Sequence, residues 1–413
     1  MNSPPFFDVR ARGFRDRADV SAVEQLLLAR LTPLPAEPVA LATATGRVLA
    51  TTVTAQVAVP GFVRAAMDGF AVQASDTFAA SPHNPLELTI VGQAFPAQPC
   101  PQTVQAGQAV QIMTGAPVPA GADAVVPAEY VRVVGAQVQI IEPIAPQRHI
   151  GRVGEDVACG QTVLTAGRVL RPQDVGVLAS IGVGHVTVVR QPRVALLVTG
   201  NELLPPGSVP TGYQIVDSNS PMLRGLVARD GALVTGVRYL PDDRATIRTA
   251  LTDTAADVLL VSGGSSVGQE DHAPSVVAEL GTLAIHGVAL RPASPTGVGW
   301  IADRLVFLLP GNPVSCLCAY DLFVGLALRR LGGRPLAGPY RQQVLPLTGK
   351  ISSALGRVDY VRVRRTADGV EPLAVSGAAL LTTTTQADGY VLVPVDCEGY
   401  PPGTPVTLWA YDG

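Results

Sequence analysis

Three stretches of small and polar residues each follow an aliphatic run, and each carries groups suited to holding an anion. Residues 258–262 lead into Gly263-Gly264-Ser265-Ser266 and then Asp271. Backbone N–H groups at the start of a following helix, joined by the Ser265 and Ser266 hydroxyls, form a phosphate cradle. Residues 305–309 lead into Pro310-Gly311-Asn312-Pro313-Val314-Ser315. Pro313 suits a first helical turn, where no N–H is needed, so Ser315 and the free N–H groups there would face the same crevice. The third run, 193–198, ends in Thr199-Gly200-Asn201-Glu202, with Asp217-Ser218-Asn219 downstream. Taken singly, each set is as readily a capped turn. Three such sets on neighbouring strand ends are harder to explain that way. Asp271 and either Asp242 or Asp243 could hold a divalent cation against phosphate oxygens, because Mg2+ takes one or two carboxylates and completes its shell with substrate oxygens. Asp243, just ahead of residues 244–254, reads first as a helix cap.

The elements that would position these groups follow from texture. Alternation of strand and helix over 191–333 predicts a parallel sheet covered by helices, with ligands at the carboxyl ends of the strands. Upstream, 41–190 breaks into short β-rich runs punctuated by Gly and Pro, which predicts two modules. One is discontinuous (18–59 and 154–190) and the other, 60–153, is inserted into it. Residues 334–413 return to β and read as a small barrel. A helix is expected from Ser21, which with Glu24 has capping-box spacing, backed by a stripe of Val20, Val23, Leu27 and Leu31. Residues 1–17 are polar and expected to be loose. The fold class is thus multidomain α/β plus β, with a three-layer α/β domain.

Composition narrows the chemistry. At 413 residues the chain has room for about three domains of roughly 150 residues each. With 47 % hydrophobic and 15 % charged residues, there is no compositional case for disorder. Lys350 is the only lysine among 30 basic residues, which excludes a P-loop and any lysine Schiff base elsewhere in the chain. A net charge of −3 without a dense basic block argues against bulk nucleic-acid binding. No apolar run approaches the ~18 residues of a membrane helix, and the start of the chain lacks the apolar segment of a signal peptide. Five cysteines, an odd count, fit reduced thiols, so a cytoplasmic protein is expected. Cys316-x-Cys318 has metal-like spacing, but on an apolar helix without nearby ligands core packing is the better reading. The five histidines show no ligand spacing.

Further motifs lie in the β-rich half: Pro60-Gly-Phe-Val-Arg-Ala-Ala-Met-Asp68-Gly-Phe70, Ile112-Met-Thr114-Gly-Ala-Pro-Val-Pro-Ala-Gly-Ala-Asp123-Ala-Val-Val126 and Gly151-Arg-Val-Gly-Glu155-Asp156. With Thr-Gly-Asn-Glu-Leu (199–203), the Ser-Gly-Gly turn through Asp271 and Leu-Pro-Gly-Asn-Pro-Val-Ser (309–315), they occur in one order over residues 18 to 400. As a set the chain resembles the MoeA-type molybdopterin molybdenumtransferases, the family that includes the gephyrin E domain. That resemblance implies insertion of molybdate into adenylated molybdopterin with release of AMP, a divalent cation (Mg2+), and an elongated homodimer. The site would lie between the α/β domain of one subunit and the inserted domain of the other. On matching positions it assigns catalytic roles to Asp68, Asp156, Glu202, Asp242 and Asp271, the last with Asp242 holding the metal. Substrate contacts fall to Thr114, Thr199, Gly263, Gly264, Ser265, Ser266, Gly311, Asn312 and Ser315. Molybdate falls to Arg291, Ser294, Ser315 and Arg357. A molybdopterin adenylyltransferase would hand over the substrate.

The chain departs from the family pattern in several places. Asn201 replaces the first member of an acidic pair, and Ser265 changes a Gly-Gly-Val turn. The lysine-rich Lys-Pro-Gly-Lys-Pro segment reads Arg291-Pro292-Ala293-Ser294-Pro295, a basic position becomes Gly287, and a serine becomes Ala378. Fewer cations leave one rival, a non-catalytic molybdopterin-binding scaffold; a second, a tungstate-specific insertase, stays open because the two oxyanions are nearly isosteric.

Overall fold

The computed structural model describes residues 17–264, 271–374 and 377–411. Contacts divide the chain into two units, one made of residues 38–45 and 49–187 and the other of the rest.

The larger unit is built on helix α1 (Val20–Arg30) and an alternating series: β1 (Arg193–Thr199), α2 (Asn219–Arg229), β2 (Leu233–Leu240), α3 (Arg244–Asp253), β3 (Val258–Ser262) and α4 (Ala273–Leu280), then β4 (Thr282–His286), β5 (Gly297–Ile301), β6 (Arg304–Leu309) and α5 (Pro313–Ala319). The sheet order is β2-β1-β3-β6-β5-β4. The first four strands are parallel, and β5 and β4 are added antiparallel at one edge. The central strands are continuous aliphatic runs because both of their faces are covered. Alternate residues enter two separate cores. Val194, Leu196, Leu260 and Phe307 pack with Leu223 and Val227 of α2 and with Val23 and Leu27 of α1. Ala195, Leu197, Leu259 and Leu308 pack with Ile247 of α3 and Val276 of α4.

One local expectation is corrected. Helix α1 begins at Val20, with Asp19 as its N-cap residue and no side-chain cap bond. Ser21 already lies inside the helix, so its box with Glu24 does not form, although the stripe stands: Val23 and Leu27 are fully buried. The helical run from Pro313 to Leu331 is interrupted by a π turn, Tyr320–Val324, between α5 and α6 (Gly325–Leu331). Cys316 and Cys318 are fully buried on α5, in the packing role their apolar setting predicts.

The π turn carries Asp321, which is buried and accepts hydrogen bonds from Tyr340 Oη (2.7 Å) and Tyr360 Oη (3.0 Å) while pairing with Arg229 (3.3 Å). Burial pushes its carboxyl up to about 6. This network joins α2, the π turn and the C-terminal sheet. That sheet runs Leu290–Arg291, Val358–Thr366, Gly389–Val393, Pro405–Ala410, Arg341–Pro346, with Gly369–Ala374 on the other side of Val358–Thr366. A bridge from Leu347 to Val370 brings its two ends together.

The second unit holds a six-stranded sheet in the order Ala124–Pro127, Gly69–Val72, Gln108–Ile112, Leu86–Ala94, Gln137–Ile140, Val131–Val134. It also holds the helix Pro172–Ser180, whose start is clasped by Asp174. Arg168 donates to both carboxylate oxygens at 2.8 Å, and the Arg171 backbone N–H donates at 2.9 Å. The Arg168 bonds, followed by those of Arg171, hold the Asp174 carboxyl well below the usual range. A depressed folded value contributes stability that is complete above the unfolded value, about pH 4, and is lost as pH falls through the folded one. Asp174→Asn should therefore cost about 1–2 kcal/mol at pH 7, the scale of a lost cap. Thermal unfolding should show the gap to wild type narrowing below pH 4; an equal gap at pH 3 and pH 7 would contradict this account.

Candidate active site

The floor is made where β1, β3 and β6 end. Gly263 and Gly264, just after β3, have φ of +93° and +56°. A Cβ on Gly263 would stand 2.4 Å from the Thr199 carbonyl oxygen, and one on Gly264 2.9 Å from Thr199 Oγ1. Only glycine lets this turn lie against the end of β1. Thr199 is 2 % exposed, and its Oγ1 is buried without a hydrogen-bond partner among the described residues. An unsatisfied hydroxyl at the foot of a crevice is a group that a bound ligand can complete.

Two residues that the sequence reading noted without assigning a role tie the strand ends together. Asn219 Nδ2 donates to Ser262 Oγ (2.9 Å) and to the Gly311 carbonyl (2.8 Å), linking the loops after β3 and β6. Asp217 accepts from the Asn219 and Ser220 backbone N–H groups (2.8 and 3.2 Å) and from Tyr239 Oη (2.9 Å). Both residues are buried. Asp242 accepts from the Asn201 backbone N–H (3.1 Å), and Asn201 Oδ1 accepts in return from the Asp242 backbone (3.2 Å). An aspartate at 201 could accept the second bond equally well, so this substitution keeps the local geometry. Asp243 is the N-cap of α3, accepting from Thr246 N (2.7 Å) and Thr246 Oγ1 (2.8 Å).

These groups surround a cavity of about 950 Å³. Thr199, Glu202, Asp242, Gly263, Gly264, Asp271, Gly311 and Asn312 line it, as do Asp217 and Asn219. Ser265 and Ser266 lie outside the described residues. Among the described residues no three His, Cys, Asp or Glu side chains converge as a metal site. A cation here would rest on Asp242 and Asp271 and take ligand oxygens for the rest of its shell, a donor set that fits Mg2+.

A second cavity of about 340 Å³ shares Pro295, Pro310 and Asn312 with the first. Arg291, Ser294, Ser315 and Arg357 line it, with Ala378 and Arg17. Its two inner arginines converge on Asp359, which is fully buried. Arg291 Nη2 donates to one carboxylate oxygen, Arg357 Nε lies 3.3 Å from the other, and Ser353 Oγ donates at 2.6 Å. Ser294 Oγ is buried without a partner among the described residues. The sequence reading missed Asp359 and Arg17, whose positions depend on pairings far apart in the chain.

The remaining candidates belong to the second unit. Thr114 donates to one Asp68 oxygen through both its backbone N–H and its Oγ1, each at 2.7 Å. These bonds, the hydroxyl's first, hold the Asp68 carboxyl below its ordinary value. Asp156 is exposed, and its backbone N–H donates to the Val59 carbonyl (3.1 Å). In the larger unit, Asn219→Ala would leave Ser262 Oγ and the Gly311 carbonyl without their partner. Unfolding in urea should register a loss of about 2–3 kcal/mol, the cost of stranding buried polar groups; a change under half that would mean that the crosslink is dispensable.

Comparison with known proteins agrees with this architecture. The model for the MoeA N-terminal region (domain I and II) matches residues 18–182, that for the "Probable molybdopterin binding domain" residues 195–330, and that for the MoeA C-terminal region (domain IV) residues 344–411. Molybdopterin molybdenumtransferase 2 of Mycobacterium tuberculosis is 36% identical over 386 residues, covering 90% of this chain and 94% of that protein. The molybdopterin molybdenumtransferase of Staphylococcus aureus is 29% identical over 403 residues, covering 95% and 96%. The crystal structure of the MoeA molybdopterin biosynthesis protein from Pyrococcus horikoshii aligns with a TM-score of 0.80 and 31% identity, over 96% of this chain and 100% of that one. With the strand-end turns, the carboxylates and the arginine pocket in the order the motifs require, the chain belongs to the MoeA family.

Proposed function

We propose that this chain is a molybdopterin molybdenumtransferase that inserts molybdate into adenylated molybdopterin and releases AMP. The observation that carries the reading is the pair of adjoining cavities at one end of the parallel sheet: one walled by glycine turns and carboxylates, the other by arginines and serines. In the larger, the turns at Gly263-Gly264 and Gly311-Asn312 offer backbone N–H groups to phosphate, and Thr199 Oγ1 offers a hydroxyl without a partner among the described residues. Glu202, Asp242 and Asp271 are anions facing an anionic ligand, an arrangement that is favourable only with a cation between them. Mg2+ held by Asp242 and Asp271 would offset the phosphate charge and polarise the linkage to AMP. In the smaller cavity, Arg291, Arg357, Ser294 and Ser315 hold the oxyanion by charge-assisted hydrogen bonds. Their shared wall brings it beside the other substrate.

The same reading includes a homodimer in which Asp68 and Thr114 of the inserted domain, with Asp156 just beyond its end, serve as the inserted-domain side of the site, a cytoplasmic setting, and hand-over from a molybdopterin adenylyltransferase. It also divides the chain at 18–59 with 154–190, 60–153, 191–333 and 334–413. Helices on two faces of the β1–β6 sheet support a three-layer domain, and the Leu347–Val370 bridge supports a small C-terminal barrel.

Purified protein given adenylated molybdopterin, molybdate and Mg2+ should release AMP, and Asp271→Asn should reduce that release by at least a hundredfold. AMP release at the wild-type rate in this variant would overturn the site assignment. Calorimetry that finds molybdopterin binding without molybdate binding would favour a scaffold instead.

A further inference from the structure

The smaller cavity holds more positive charge than the motif residues account for. Among the described residues, three arginines line it, Arg17, Arg291 and Arg357, and no acidic residue does. Asp359 stands behind two of them and neutralises one charge. Arg291 and Arg357 alone would leave a net of +1. Arg17 raises it to +2, which matches a tetrahedral dianion. All three line the same cavity of about 340 Å³, so one occupant can meet them together.

Arg17 is held there by its neighbours. Ala18 next to it forms a parallel bridge with Val288: its N–H donates to the Gly287 carbonyl (3.0 Å), and its carbonyl accepts from the Ala289 N–H (2.9 Å). Two residues on, α1 begins and buries Val23 and Leu27 in the core. The segment is thus pinned against the strand that leads to Arg291. Arg17 itself is exposed and has no hydrogen bond or ion pair among the described residues, so its guanidinium keeps all of its donors for a ligand.

We propose that Arg17 is the third cation of this anion pocket and sets its preference for a doubly charged tetrahedral oxyanion over a singly charged one. The proposal rests on reading the cavity as the molybdate site.

The test measures molybdate binding to the full-length protein by equilibrium dialysis, with perrhenate, a tetrahedral monoanion, as competitor. Arg17→Ala should weaken molybdate binding about tenfold at low salt, the scale of one charge-assisted contact, and less as ionic strength rises. Perrhenate binding should fall by a smaller factor, so the preference for the dianion narrows. In AMP-release assays the KM for molybdate should rise while kcat at saturating molybdate holds. Arg17→Lys should recover most of the loss, and thermal unfolding of both variants should match wild type. Equal molybdate affinity in wild type and Arg17→Ala overturns the proposal alone. A wild-type protein that binds no molybdate overturns both it and the oxyanion reading of the cavity. An unchanged ratio of molybdate to perrhenate affinity overturns the selectivity claim.

Discussion

The arginine-lined cavity is organised around one buried carboxylate, Asp359. Asp359 sits on a C-terminal strand at the point where that strand pairs, in parallel, with Leu290–Arg291. Its Oδ2 accepts from both Arg291 and Ser353, and its Oδ1 faces Arg357 across 3.3 Å. A fully buried anion cannot be left unpaired, and two arginines forced side by side repel without one. The backbone pairing, the position of Arg291 and the position of Arg357 are therefore a single choice. The pocket is preorganised because its cations are held from behind, which leaves their outer donors for an occupant.

The sequence is legible where physics is local. The parallel strands are read from aliphatic runs buried on two faces, and Asp243 from its place before an amphipathic helix. The turn at Gly263-Gly264 is visible as glycine, but its reason, the approach to Thr199, is not. The antiparallel pair β4 and β5 escapes a pattern search because Gly281, Gly297 and Gly299 interrupt it. Each of those glycines lies where a Cβ would press on a neighbouring strand. Asp217 and Asn219 are visible as polar residues after the first strand, but not what they bind, and Asp359 carries no local signal; the partners of all three are set by topology. The capping box at Ser21 shows the converse, a plausible local pattern left unused because the N-cap falls at Asp19, two residues earlier.

The departures from the family pattern also change in weight. Asn201 keeps a backbone bond that the usual acid could make. Arg291 stays cationic and has its own buried counter-charge. Gly287 is where Ala18 docks through the Gly287 carbonyl. Ser294 keeps a hydroxyl with no other use within the described residues. Ala378 lies on the pocket wall without a polar side chain, and its carbonyl instead accepts from the Val314 N–H at the start of α5.

Pro295, Pro310 and Asn312 face both cavities, so one partition bounds two chambers. Two of its three members are prolines, whose ring fixes φ and so limits how far the partition can move. A guest that did displace it would reshape both chambers at once, and the resulting change in affinity would be reciprocal.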